Sequence, residues 1–72
     1  MNSIGKQILK FRKTNGASQT ALANFLGVQP QTVSKWEREI CLPDIEKLPQ
    51  IAAFFGISLD ELFGTNEKNA WE

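Results

Sequence analysis

Apolar positions along this chain recur every three or four residues, which is the period of an amphipathic helix. The pattern predicts helices over residues 3 to about 13, 19–26, 30 to 37 or 38, about 47 to 55, and 59–63. The expected core consists of Ile4, Ile8, Phe11, Leu22, Ala23, Leu26, Val28, Val33, Trp36, Leu48, Ile51, Ala52, Phe55, Leu59, Leu62 and Phe63. No strand alternation, repeat or low-complexity run is evident, so the chain is predicted to be all-α with five short helices.

Residues that favour helix ends stand at the predicted boundaries. Ser18 suits the N-cap of helix 2, and Gly27 suits its left-handed end. Pro30 falls at the first position of helix 3, where proline is best tolerated. Ser58 and Glu61 have the spacing of a capping box. Because so few residues separate helices 2 and 3, we expect them to form a helix-turn-helix unit rather than an antiparallel hairpin.

The length and composition restrict the classes of protein. Seventy-two residues make one domain, which we assign to residues 1–64, followed by a polar tail, 65–72, that is expected to fray. No apolar run reaches the roughly 20 residues of a membrane span, and no secretory signal is evident, so we expect a cytoplasmic protein without a membrane partner. The chain has no histidine, and its one cysteine, Cys41, is expected to be a small, buried, inert residue. Neither a metal nor a cofactor is predicted.

The net charge of zero hides an uneven distribution. Residues 1–36 carry five basic residues and no acid, whereas residues 37–72 carry three basic and eight acidic residues. The halves therefore have charges of +5 and −5. This asymmetry fits a basic binding face with an acidic rear, although a chance segregation of solvated charges has the same composition.

Helix 3 has a polar side that faces away from the expected core. This ridge carries Gln31, Ser34, Lys35 and Arg38. Gln31 and Lys35 are about 6 Å apart along the axis, and bases in DNA repeat about every 3.4 Å. Glutamine can pair with the edge of adenine and lysine can donate to guanine. An exposed helix with no binding role also carries such residues, so the ridge alone leaves both interpretations open.

Residues 4–64 resemble the helix-turn-helix family of phage repressors and Cro, also called the xenobiotic-response-element family. The residues that carry this resemblance are Arg12, Ser18-Gln19, Leu22-Ala23, Gly27-Val28, Thr32 to Glu37, Pro43, Ile51-Ala52 and Gly56 to Leu62. The resemblance implies a five-helix, lambda-repressor-like DNA-binding domain whose helix-turn-helix is formed by helices 2 and 3. It also implies double-stranded DNA as the ligand and a homodimer on a two-fold symmetric operator.

The resemblance assigns roles to individual residues. It places Gln29, Pro30, Gln31 and Lys35 at base edges, and Thr32 and Ser34 near bases or phosphates. It makes Gln19 and Arg38 phosphate contacts, with Gln19 also bracing helix 3, and it adds Ser18 and Thr20, for which helix capping is the competing role. Arg12 and Glu37 match a structural salt bridge and are therefore not assigned to DNA.

Two residues depart from the family pattern. Glutamate at position 39 replaces a glycine that is common after helix 3, which puts the left-handed helix end in doubt. Phe25 replaces a polar residue, and we expect it to be half-buried beside helix 1 rather than an exposed partner contact.

The sequence thus predicts a sequence-specific transcriptional regulator that inserts helix 3 into the major groove of a palindromic operator. By resemblance alone, a repressor is favoured over an activator. The alternative is a protein-interaction module such as an antitoxin, with Phe25, Phe54 and Trp71 as exposed contacts. A third interpretation is a helical bundle that does not read DNA. No catalytic constellation is present in the sequence, so we do not expect an enzyme.

Overall fold

The computed structural model describes residues 3–64 and folds them into five α-helices. The helices are α1 (Ile4–Thr14), α2 (Gln19–Leu26), α3 (Pro30–Glu37), α4 (Leu48–Phe55) and α5 (Leu59–Phe63), and a 3₁₀ turn (Ile45–Lys47) leads directly into α4. Residues 3–64 contain no strand. The prediction of an all-α, five-helix fold is confirmed. The tail, 65–72, and with it Trp71, lies outside the described residues, so the predicted domain boundary stays a prediction.

The predicted end signals stand at the helix ends in the structure. The Ser18 hydroxyl accepts a hydrogen bond from the Ala21 amide at 2.9 Å. Ser58 and Glu61 form a full capping box, in which each side chain accepts from the main-chain amide of the other. Since each of these bonds satisfies an amide that has no partner within its own helix, the short helices begin at fixed residues.

A single core joins all five helices. Its buried apolar residues are Ile8, Leu22, Ala23, Leu26, Val33, Trp36, Ile51, Ala52, Phe55 and Leu62. In α5 only Leu62 is buried, and the expectation that Leu59 and Phe63 also face inward is wrong, since each is 39% exposed. A helix of five residues at the rim of the core encloses one side chain and leaves its neighbours partly in solvent.

Two further expectations about single residues are wrong. Phe25 is 55% exposed, and its ring lies 5.2 Å from that of Phe54 in α4. It is therefore not half-buried beside helix 1. Cys41 is exposed rather than buried. Both residues lie on outward-facing parts of the chain, and a sequence pattern does not distinguish a small or aromatic residue at the surface from one in the core.

The end of α3 keeps a left-handed residue although it lacks a glycine. Glu39 has φ of 64°, and it is the only non-glycine residue between 3 and 64 with a positive φ. The Ile40 amide donates to the Lys35 carbonyl at 2.9 Å, and the Glu39 amide donates to the Trp36 carbonyl at 3.0 Å. The first of these bonds is the long-range bond of a Schellman motif. Glutamate thus occupies a left-handed position that favours glycine. Because Glu39 has a Cβ atom, this conformation strains its backbone.

None of the helices between residues 3 and 64 has the length and apolar character needed to cross a bilayer.

Candidate nucleic-acid interface

Helices α2 and α3 are joined by a three-residue turn. Gly27 ends α2 in the left-handed conformation with φ of 74°, and the Val28 amide donates back to the Ala23 carbonyl at 3.0 Å. Gln29 is the N-cap of α3, and its carbonyl accepts from the Thr32 amide at 2.9 Å. The backbone of the turn is therefore fixed at both ends by main-chain hydrogen bonds. The tip of α3 consequently has a defined position relative to α2.

The two sides of α3 have opposite environments. Val33 and Trp36 are buried in the core and are 0% and 4% exposed. The residues on the outer side and at the helix tip are exposed (Gln29, Gln31, Lys35 and Arg38) or partly exposed (Pro30, Thr32 and Ser34). The residues predicted for base reading therefore all lie on the accessible side of α3. We call this surface the α3 ridge, and it consists of Gln29, Pro30, Gln31, Thr32, Ser34, Lys35 and Arg38.

Arg38, at the end of the ridge, is oriented by a neighbour on the same helix. Its Nε atom donates to the Ser34 hydroxyl at 3.0 Å. The two residues are four apart, so their side chains meet on the same face of the helix. The resemblance implied a contact with DNA for each residue but not this bond between them. The bond leaves the two terminal nitrogens of the guanidinium available as donors.

The Glu37 carboxylate connects three parts of the domain. Arg12 of α1 makes a two-point contact with it, from Nε to Oε2 at 2.6 Å and from Nη2 to Oε1 at 3.0 Å. Gln19, the first residue of α2, donates from Nε2 to the same Oε1 at 2.9 Å. Arg12 also donates to the Ala17 carbonyl at 2.9 Å, next to the N-cap of α2. One buried carboxylate thus fixes α3 against α1 and against the start of α2.

This ion pair is largely shielded from water. The Glu37 side chain is 4% exposed and the Arg12 side chain 14%. The hydrogen bond to Glu37 raises the pKa of Arg12 above its ordinary value, against the opposing effect of burial. Arg12 therefore stays charged at any pH at which the protein is studied. Its guanidinium is occupied by protein acceptors, in agreement with a structural role.

Gln19 braces α3 through Glu37, and this bond uses only part of the hydrogen-bonding capacity of its side chain. The side-chain amide of glutamine carries two N–H donors, and one of them points to the Glu37 carboxylate. Gln19 is also the first residue of α2, where main-chain amides have no acceptor within the helix. A phosphate contact at Gln19 can therefore use its main-chain amide or the second N–H of its side chain.

Lys47 makes a contact that the sequence did not predict. Its Nζ atom donates to the Leu26 carbonyl at 3.1 Å, at the end of α2. The bond provides a partner for a carbonyl of the last turn and ties the segment before α4 to the helix-turn-helix. No local pattern signals a contact between residues 21 positions apart, so only the three-dimensional structure reveals it.

Comparison with known proteins places this arrangement in a family. A helix-turn-helix family model matches residues 8–62, which run from within α1 to within α5. The chain belongs to this helix-turn-helix family. The predicted resemblance is confirmed, and the α2-turn-α3 unit is the element that gives the family its name.

Relatives within the family are named as regulators. The chain is 34% identical over 59 residues to the SPbeta prophage-derived uncharacterized HTH-type transcriptional regulator YonR of Bacillus subtilis (strain 168), covering 82% of this chain and 55% of YonR. It is 29% identical over 65 residues to the regulator ImmR of the same organism, covering 90% of this chain and 51% of ImmR. The chain thus spans about half the length of these curated relatives.

Solved structures of similar proteins include complexes with DNA. The P22 c2 repressor bound to a synthetic operator superposes with a TM-score of 0.81 at 29% identity, covering 92% of this chain and 100% of that one. SinR, the master regulator for biofilm formation, was solved in complex with DNA. It superposes with a TM-score of 0.74 at 33% identity, covering 82% of this chain and 95% of that one. The five-helix fold is therefore that of repressor DNA-binding domains.

Proposed function

We propose that this chain is the DNA-binding domain of a sequence-specific transcriptional repressor, which places α3 in the major groove of a palindromic operator. The observation that carries the proposal is the α3 ridge, an outward row of polar side chains on a helix whose other side is locked into the core. The buried Glu37 carboxylate supports it by holding α3 against α1 and α2. The relatives, named as regulators and repressors, point to the same function rather than to an enzyme.

In this proposal the ridge reads bases through four residues at and after the tip of α3. Gln31 pairs with the N6 and N7 edge of an adenine, and Lys35 donates to the O6 and N7 acceptors of a guanine. Gln29 and Pro30 lie at the tip, where Gln29 can hydrogen-bond a base edge and Pro30 can contact a thymine methyl. Thr32 and Ser34 flank these residues, so they contact either bases or the adjacent phosphates.

Phosphate contacts set the position of α3 in the groove. Arg38 provides one of them with its terminal guanidinium nitrogens. The start of α2 provides another, in which the main-chain amide of Gln19 donates to a phosphate near the positive end of the helix. The Ser18 hydroxyl accepts from Ala21 and still has its own proton to donate, and Thr20 is exposed beside it.

A palindromic operator requires two copies of the domain, so the proposal includes a homodimer on DNA. It also places the protein in the cytoplasm, because a repressor must act in the compartment that holds its operator.

A second candidate function is a protein-interaction module such as an antitoxin. The exposed ring of Phe25 favours it, because aromatic side chains at a surface are typical of protein contacts, whereas Phe54 beside it is partly buried against the core. Recovery of a stoichiometric protein partner by the purified chain, and its loss on Phe25→Ser, would support this function over the first.

The test of the DNA-binding proposal is selection of bound duplexes from a random-sequence library, followed by binding measurements at several salt concentrations. The expected result is a short palindrome bound with affinity in the range of about 10⁻⁸ M and a steep loss of affinity as salt rises. A library that yields no enriched sequence, or binding that does not respond to salt, would overturn the proposal.

A further inference from the structure

The start of α3 lacks a local support that α1, α2 and α5 have. Each of those helices begins after a serine, Ser3, Ser18 or Ser58, whose hydroxyl accepts a hydrogen bond from an amide of the first turn. Helix α3 begins after Gln29, whose side chain makes no capping hydrogen bond to any residue between 3 and 64. Pro30 sets the backbone angle of the first residue but has no amide to donate. The tip of α3 therefore depends for its position on the turn that precedes it.

Lys47 holds this turn from outside the helix-turn-helix. Its Nζ atom donates to the carbonyl of Leu26, the last residue of α2, at 3.1 Å. A carbonyl in the last turn of a helix has no amide partner within that helix, so the bond from Lys47 supplies one. The turn to α3 begins at the next residue, Gly27. Lys47 is therefore bonded to the chain just before the turn that carries the tip of α3.

Lys47 itself has a fixed position. Its main-chain amide donates to the Asp44 carbonyl at 2.9 Å, and its side chain is partly buried. It directly precedes α4, which is anchored in the core by Ile51, Ala52 and Phe55. The bond from Lys47 thus connects the end of α2 to a helix that cannot move independently of the core.

Two supports act at opposite ends of α3. At the last residue, the Glu37 carboxylate is bonded to Arg12 and Gln19. At the first residue, Pro30, the support comes through the turn that Lys47 holds. These two ends are about 10 Å apart along the helix axis. Loss of the support at the turn should therefore displace the tip while the end near Glu37 stays in place.

We propose that Lys47 is a positioning residue for base reading, which holds the tip of α3 where Gln31 meets a base edge. This inference rests on the proposed DNA-binding function and adds a residue outside the α3 ridge to it. Gln31 lies in the first turn of α3, whereas Lys35 lies one turn further on. A hydrogen bond weakens steeply when its atoms move from about 3 Å to beyond about 3.5 Å. A small displacement of the tip thus affects the contact of Gln31 more than that of Lys35.

A direct phosphate contact is the competing role for Lys47, because its ammonium group is a cation. A phosphate contact adds affinity without base preference, and it contributes about 0.9 to the slope of log affinity against log salt concentration. A positioning residue changes base preference and leaves this slope unchanged. The two roles therefore give different results in the same binding measurements.

The experiment uses Lys47→Met, which keeps an unbranched side chain of similar length and removes the ammonium group. Gln31→Ala and Lys35→Ala first identify the base pair of the selected operator that each residue reads. We expect Lys47→Met to reduce the preference at the Gln31 base pair by at least about fivefold, and to leave the preference at the Lys35 base pair within about twofold. The salt slope should not change. Lys13→Met, which removes the same charge from α1, is the matched control and should leave both preferences within about twofold.

Double substitutions test whether Lys47 acts through the tip. Lys47→Met alone should weaken binding to the operator at least about fivefold. Added to Gln31→Ala, it should weaken binding by less than about twofold further, because the contact that it positions is already absent. Added to Lys35→Ala, it should weaken binding as much as it does in the unsubstituted chain.

Hydrogen exchange in the free chain tests the support without DNA. The Thr32 amide donates to the Gln29 carbonyl at the start of α3, at 2.9 Å. In Lys47→Met this amide should exchange at least about fivefold faster, because the turn opens more often. The Glu61 amide, which is bonded to Ser58 in α5, should exchange at an unchanged rate.

Three results would overturn the inference and leave the DNA-binding proposal intact. They are an equal loss of preference at both base pairs in Lys47→Met, a salt slope reduced by about 0.9, and an unchanged exchange rate at Thr32. An unsubstituted chain that selects no operator would instead overturn the proposed function, and the role of Lys47 in base reading with it.

Discussion

The main-chain carbonyl of Trp36 lies directly against Gly5, in the space that a side chain at residue 5 would fill. A methyl group there would overlap this carbonyl, which is a backbone atom of α3 and cannot move aside as a flexible side chain would. Gly5→Ala should therefore destabilise the fold by about 1 to 3 kcal/mol, even though alanine favours a helix more than glycine does. Urea denaturation measures the effect. The adjacent Lys6→Ala, at an exposed position, is the control and should change stability by less than about 0.5 kcal/mol. Equal stability of the two variants would contradict the close approach of α1 and α3.

Replacing the strained residue at the end of α3 should stabilise the protein. Glu39→Gly removes the unfavourable left-handed conformation of a residue with a Cβ atom, and part of the gain is offset by the greater freedom of glycine in the unfolded chain. The expected net gain is about 0.5 to 1 kcal/mol in urea denaturation. Glu39→Ala keeps the Cβ atom and removes the charge, so it should give no such gain. An equal gain in both variants would assign the effect to the carboxylate rather than to the backbone.

Removing Arg12 should leave the Glu37 carboxylate buried without its cationic partner. Arg12→Met is expected to destabilise the fold by about 2 to 4 kcal/mol, whereas Lys13→Met, which removes the same charge from an exposed position, should have little effect. Since the folded-state pKa of Arg12 is raised, its stabilising effect is complete below the unfolded pKa and is lost only as pH rises through the folded pKa. The difference between Arg12→Met and the unsubstituted chain should therefore stay constant from about pH 7 to about pH 9. A difference that shrinks over this range would argue against a guanidinium that stays charged.

The proposed base reading by the α3 ridge can be distinguished from general attraction to DNA. Gln31→Ala and Lys35→Ala should each weaken binding to the selected operator by about 1 to 3 kcal/mol and relax the preference at one base pair per half-site. Lys10→Ala, which removes a cation from α1, is the control and should leave base preference unchanged. If Gln31→Ala weakened binding equally on all sequences, Gln31 would be a backbone contact instead.

The role of Arg38 should be visible in the salt dependence of binding. A residue that neutralises one phosphate contributes about 0.9 to the slope of log affinity against log salt concentration. Arg38→Ala should reduce the slope by about this amount per bound copy, whereas Arg38→Lys, which keeps the charge, should preserve it. An unchanged slope in Arg38→Ala would remove Arg38 from the phosphate contacts.

The helices were predictable from sequence because their ends depend on local chemistry. Ser18, Gly27 and Pro30 act on backbone groups within a few residues of themselves, so their positions alone define the start of α2, the turn and the start of α3. The buried side of α3 was predictable for the same reason, since Val33 and Trp36 follow the helical period. The accessible ridge opposite them follows from that periodicity.

The remaining features depend on contacts between distant parts of the chain. Whether Phe25 lies against α1 or against Phe54 depends on how α2 packs on α4, and helical periodicity does not determine this. The bond from Lys47 to the Leu26 carbonyl joins residues 21 positions apart. The exposure of Ile40, Leu42 and Ile45 is contrary to the usual burial of such residues, so only a structure reveals it. The resemblance implied the pairing of Arg12 with Glu37, whereas the sharing of that carboxylate with Gln19 required coordinates.

The shared Glu37 carboxylate also has a consequence for how the protein can acquire new operators. Because Glu37 points inward, the bonds that orient α3 involve none of the side chains on its outer ridge. The ridge residues are therefore free to vary without disturbing the support beneath them. When ridge residues are exchanged between members of the family, the operator preference should accordingly be transferred with them, while the Arg12–Glu37–Gln19 contacts that hold α3 stay the same.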